Sequence, residues 1–136
     1  MKYRFIDDLT SDVMFEAYGK DLKEVFENSA RALFSVICQI EKIGKTENKI
    51  IEVRGRNPGE LMFNWLQELI STVDIDMMFF SEFRIVEINE KYLKAEIYGE
   101  ESDPSKGGTV VKAVTNYKYL FEKTDKGYKT RVSLDI

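Results

Sequence analysis

The chain has 136 residues and a mass of 15.9 kDa, and 43% of it is hydrophobic and 32% charged, the size and balance of one soluble globular domain. Twenty Lys and Arg against 24 Asp and Glu give a net charge of −4, with no histidine and a single cysteine, Cys38. Those counts exclude a Ser-His-Asp or Cys-His nucleophile, an imidazole or multi-thiolate zinc site, and an intrachain disulfide.

The N-terminus carries Lys2, Arg4, Asp7 and Asp8 without the apolar run of a signal peptide. No apolar stretch approaches the roughly 20 residues of a membrane helix. The expectation is a cytoplasmic single domain over residues 1–136. Its nine Phe, seven Tyr and one Trp supply a core.

Asp12 to Gly19 alternates, with Val13, Phe15 and Ala17 on one face and Met14, Glu16 and Tyr18 on the other; this predicts a strand. From Lys20 to Gln39 the period changes. Leu22, Val25, Phe26, Ser29, Ala30, Leu33, Phe34 and Ile37 make one helical stripe. A second strand is predicted over 48–54. Asn57-Pro58-Gly59-Glu60 then opens a helix, with Asn as N-cap, Pro in the first turn and Glu60 at the capping-box position.

After about Met77 the pattern is strand-like. Residues 82–88 and 92–98 form a hairpin turning at Asn89-Glu90-Lys91, and a loop runs from Gly99 to Gly108. A long strand covers 109–122, Thr124-Asp125-Lys126-Gly127 turns, and 128–136 is the last strand. Helices early and strands late predict an α+β two-layer sandwich, with two amphipathic helices packed on a mostly antiparallel sheet.

Several features could carry chemistry. Residues 104–136 hold seven basic side chains against three acidic, while the remainder holds 13 against 21. That basic hairpin either faces nucleic-acid phosphates or solvates the outer side of the last two strands. Glu100, Glu101 and Asp103 lie in one loop but lack EF-hand spacing. Cys38, beside the helix stripe, reads as a small core hydrophobe. Trp65 reads as core, and Tyr117 and Tyr119 as sheet packing. Asp8, Asp12 and Asp135 lie near strand ends. If the first long strand and the last are neighbours, Asp12, Asp135 and the terminal carboxylate of Ile136 would give the oxygen donors a hard cation wants.

An ordered set of segments runs the length of the chain: Asp8-Leu9-Thr10-Ser11-Asp12, then Ala17-Tyr18-Gly19, then Glu27-Asn28-Ser29-Ala30-Arg31-Ala32-Leu33-Phe34. Trp65-Leu66-Gln67-Glu68-Leu69, Phe80-Ser81-Glu82-Phe83, Gly99-Glu100 with Asp103-Pro104, Val111-Lys112-Ala113-Val114-Thr115 and Leu134-Asp135-Ile136 follow. As a set the chain resembles the archease family. The resemblance implies a non-catalytic protein cofactor of an RtcB-type RNA ligase in tRNA splicing. Such a cofactor promotes the ligase's guanylylation and multiple turnover. It also implies a bound divalent cation such as Ca²⁺, whose ligands map to Asp12, Asp135 and Ile136. A monomer is expected, with any RNA contact indirect. Three positions depart from the family pattern. Its motif histidine is Leu9 here, another is Tyr117, and a third has no counterpart near Gly107-Gly108. The runner-up is a nucleic-acid-binding or chaperone-like module that acts through the basic hairpin.

Overall fold

A computed structural model describes residues 1–8 and 13–136. Its strands are β1 (Tyr3–Ile6), β2 (Val13–Gly19), β3 (Glu47–Arg54), β4 (Met78–Ile88), β5 (Tyr92–Glu101), β6 (Ala113–Thr124) and β7 (Gly127–Asp135). Two helices, α1 (Leu22–Ile37) and α2 (Pro58–Asp76), fall where the apolar stripes place them. The fold is α+β, and every strand pairing is antiparallel. The strands divide into two sheets rather than one, ordered β1-β2-β7-β6 and β3-β5-β4. Helix α1 packs on β2 of one sheet and β4 of the other, and α2 lies against β6 and β3. The helices therefore fill the space that both sheets enclose.

Capping explains the helix limits. The Asp21 carboxylate accepts from the Glu24 amide at 2.8 Å to start α1, and the Asn57 side chain accepts from the Glu60 amide at 2.9 Å to start α2. Glu60 does not complete a reciprocal box with Asn57; its carboxylate takes the amide and guanidinium of Arg56 instead. At the other end of α1, the amides of Gly108 and Thr109 donate to the carbonyls of Ile37 and Val36, at 2.9 and 2.8 Å. These bonds satisfy helix-end acceptors that would otherwise be orphaned. They need glycine at 108, because a Cβ there would sit 2.5 Å from the Val36 oxygen. This docking also explains why residues 109–112 are not strand and β6 begins only at Ala113.

Polar side chains tie the layers together inside the core. Trp65 Nε1 donates to the Phe26 carbonyl at 3.1 Å, and Asn28 Nδ2 to the Tyr18 carbonyl at 2.7 Å. The Gln67 side chain accepts from the Val114 amide, and Glu27 from the Ile85 amide. Around them Phe15, Phe26, Leu33, Phe34, Leu66, Phe80 and Phe83 are fully buried or nearly so. Cys38 packs among them with its thiol pushed up to about 12 by burial, which leaves it in the unreactive thiol form.

Strand β1 departs from the sequence expectation. Its Arg4 and Phe5 are exposed, so it has no apolar alternation to read, and pairing with β2 creates it. Strand β4 likewise starts at Met78, directly after α2.

Candidate metal centre and its surroundings

The four-stranded sheet brings the start of β2 beside the end of β7, with Val13 opposite Leu134. Asp135 is the last residue of β7, and its carbonyl accepts from the Lys112 amide at 2.7 Å. The Asp135 side chain is exposed and has no ion pair with any described residue. Ile136 follows at 38% exposure. Asp12 and Leu9 lie outside the described residues. Among the described residues no three Asp, Glu or Cys side chains gather as a metal cluster. An exposed carboxylate without a basic partner is nonetheless the donor a hard cation accepts. In donor chemistry Asp135 fits the expected ion.

Beside this end, β6 breaks its ladder. Thr115 pairs with Ser133 and Leu120 with Arg131, so Asn116 to Tyr119 stand against Val132 alone. Such a bulge overturns the alternation that put Tyr117 in sheet packing. Tyr117 is 37% exposed, and its hydroxyl donates to Asp8 Oδ1 at 3.2 Å. Lys118 takes left-handed backbone, φ 51°, and its ammonium meets Asp8 Oδ2 at 2.9 Å. The hydrogen bond to Asp8 raises the Lys118 pKa above its ordinary value. Strand β7 fastens the bulge from below: Ser133 Oγ donates to the Tyr117 carbonyl and Arg131 Nε to the Lys118 carbonyl, both at 2.9 Å. Tyr119 turns inward, donating its hydroxyl to the Gly59 carbonyl and meeting Phe63 edge-on. Burial pushes its phenol pKa up.

On the same sheet face, Glu16 is 4% exposed yet charged partners surround it. Arg4 lies at 3.1 Å, and Lys129 and Arg131 each at 3.9 Å, with the Tyr18 hydroxyl donating at 2.9 Å. Burial alone would raise the Glu16 pKa; the hydrogen bonds from Tyr18 and Arg4, with the Lys129 charge, outweigh it and hold the pKa below the usual value. Three cations of the basic hairpin, Lys118, Lys129 and Arg131, are thus committed to Asp8, Glu16 and Glu122. Strand β5 runs on through Gly99 and Glu100, where the sequence pattern predicts a loop. Glu100 pairs with Lys106 at 2.6 Å, while in the loop that follows Asp103 accepts from the Ser105 amide and hydroxyl. The acidic loop is thereby bound into its own turn.

Sequence reasoning named Asp8 but did not join it to Lys118, and it missed the fastening roles of Ser133 and Arg131. No sequence signal marks a bulge built of Asn-Tyr-Lys-Tyr, because none of these residues is the glycine that left-handed backbone favours.

A two-helix, two-sheet antiparallel domain with its first long strand beside its last is the class that the geometry defines. The family model described as the Archease protein family (MTH1598/TM1083) matches residues 3–136. The chain is 34% identical over 138 residues to Protein archease of Sulfolobus acidocaldarius, covering 99% of each. The solution structure of Methanobacterium thermoautotrophicum protein 1598 superposes with a TM-score of 0.79 at 33% identity, over 98% of each chain. A Thermotoga maritima crystal structure, named an archease and possible chaperone, gives 0.72 at 22% identity, over 98% of this chain and 97% of that one, and so shares the fold. This chain belongs to the archease family. No helix among its described residues is long and apolar enough to cross a membrane.

Proposed function

We propose that this protein is a non-catalytic activator of an RtcB-type RNA ligase in tRNA splicing. In this reading a divalent cation, Ca²⁺ or a similar hard ion, is held by Asp12, Asp135 and a backbone oxygen of Ile136. The observation that carries the proposal is the pairing of Val13 with Leu134. It sets the residues next in sequence to Asp12 and Asp135 on neighbouring strands. The exposed Asp135 carboxylate, in no ion pair with any described residue, adds to it.

A cation there would present a compact, charged end to the ligase. The activator would then stabilise the guanylylation-competent state by binding it better than the alternatives, since only differential affinity shifts such an equilibrium. The buried Cys38 thiol offers no nucleophile. The basic hairpin is the less favoured contact, because its inner cations are already paired.

The test is RNA ligation under multiple-turnover conditions, using the ligase from the same source. The wild-type protein is expected to raise turnover, and Asp135→Ala or Asp12→Ala to remove the stimulation while circular dichroism reports an intact fold. Stimulation that survives Asp135→Ala removes the cation role. No stimulation by folded wild type removes the ligase reading. Steep salt-dependent RNA binding without ligase would favour the hairpin instead.

A further inference from the structure

A cavity of about 380 Å³ opens between the end of α2 and the loop that caps α1. Its walls include Ile37, Ile70, Val73, Phe79 and Val111, so its floor is apolar and continuous with the core. Its mouth is apolar too. Met77 and Val110 line it and are 67% and 76% exposed, and Ile75, beside the lining Asp74, is 78% exposed. Isolated exposed apolar residues are ordinary, but two that line the mouth of one apolar cavity, with a third close by in sequence, mark a binding surface.

Met77 adds an independent sign. It caps α2 in left-handed backbone, φ 54° and ψ 52°, where glycine is the favoured residue. The chain places a large, mostly exposed methionine there at a conformational cost. Methionine is unbranched and polarizable and suits an adaptable contact with another chain.

The charges around the mouth narrow the occupant. Asp76 is neutralised by Lys49, and Glu100 by Lys106. Asp74 lines the cavity, and Glu101 and Asp103 flank its lining residue Ser102. None of the three takes part in an ion pair with any described residue, and Asp103 accepts from Ser105. The basic residues flanking the lining are Lys106 and Lys112. An apolar cavity under an acidic rim complements an apolar segment flanked by cations.

We infer that this groove docks a segment of a partner protein that carries large apolar side chains between lysines or arginines. The inference rests on the reading that the protein acts on a partner protein. It adds a second contact, distinct from the Asp135 carboxylate. Residues Thr109 to Val111 line the groove and lead into Lys112, which bonds the Asp135 backbone, so one partner can engage both.

The test uses a short peptide of alternating leucine and lysine, a leucine–glutamate peptide as its control, and amide NMR of the isotope-labelled protein. The basic peptide is expected to shift the amides of Val73, Met77, Gly108 and Val110. Met77→Gly and Val110→Ser should each weaken it about tenfold, the loss of one anchoring contact. Met77→Gly should not lower Tm, which separates lost contact from lost fold. The proposal is overturned if the basic peptide fails to bind, if the acidic peptide binds as well, or if neither substitution weakens binding. It is also overturned if sedimentation finds a dimer that Val110→Ser dissociates, because the occupant is then a second copy of this chain. Peptide binding alongside a failed ligation assay would leave the groove standing and remove only the ligase as its partner.

Discussion

Lys118 in the β6 bulge and Met77 at the end of α2 both hold left-handed backbone without being glycine, yet their surroundings are opposite. Lys118 is fixed from several sides, by Asp8 on its ammonium and by Arg131 on its carbonyl, with Ser133 on the carbonyl before it. Met77 is held through its backbone alone, its amide on the Val73 carbonyl and its own carbonyl accepting from Ser102. Its side chain lies at the mouth of the apolar cavity and is mostly exposed. Polar side chains fasten the strained conformation in one case, and backbone hydrogen bonds alone hold it in the other. Left-handed backbone in this molecule therefore marks two different designs, a rigid polar platform and an adaptable apolar lip.

The largest effect should come from removing the anchor of the polar platform. Glu16→Ala leaves Arg4, Lys129 and Arg131 facing one another across a nearly buried position and should cost about 2–3 kcal/mol by urea denaturation. If it costs nothing, the platform is decoration. The same carboxyl sets an acid limb. Its folded pKa lies below the ordinary 4.5, so its contribution is complete above that value. Stability should then fall as pH drops through the depressed folded pKa. In Glu16→Gln that part of the acid slope should flatten.

Ser133→Ala deletes a buried donor and its hydrogen bond to the Tyr117 carbonyl, for an expected loss of about 1–2 kcal/mol. Its sharper signature is local: amide exchange should quicken across residues 116–119 and leave the α2 cap unchanged. Met77→Gly should act in the other direction and stabilise by about 1 kcal/mol, because a left-handed conformation costs glycine nothing extra. Lys118→Gly gives the smallest change, within about 0.5 kcal/mol of zero, since relief of backbone strain offsets an exposed ion pair. A Lys118→Gly variant as stabilised as Met77→Gly would erase the distinction between the two sites.

Much of the fold was legible because its elements obey local rules. The stripe from Leu22 to Ile37, the cap at Asn57, and the turn at Asn89 to Lys91 all reappear. Strand β1 was illegible because its exposed Arg4 and Phe5 leave no periodicity, and only β2 gives it a register. The division into two sheets was illegible too, since alternation tells a strand which face to bury but not which neighbour to choose.

The segments that carry the family resemblance are largely architectural. Glu27, Asn28, Trp65 and Gln67 spend their polar atoms on backbone groups of other elements. That is why the resemblance located the fold along the whole chain while saying little about the surface. At the site the sequence brought Asp135 forward. The bulge escaped it, because Tyr117 and Lys118 obey alternation on paper and abandon it only where Val132 faces four residues.

The pairing of β2 with β7 also has a consequence for the order in which the molecule is made. Strands β3, β4 and β5 lie together in the middle of the sequence and can zip as soon as they emerge. Val13 meets its partner Leu134 only after every intervening strand has been synthesised, and pairings of such separation form slowly. During synthesis β2 therefore waits with an open edge while the three-stranded sheet is already in place. Strand β7, which offers Asp135, follows every other strand in the chain, so a nascent chain that has not reached it would have much of the core before it had any platform to present.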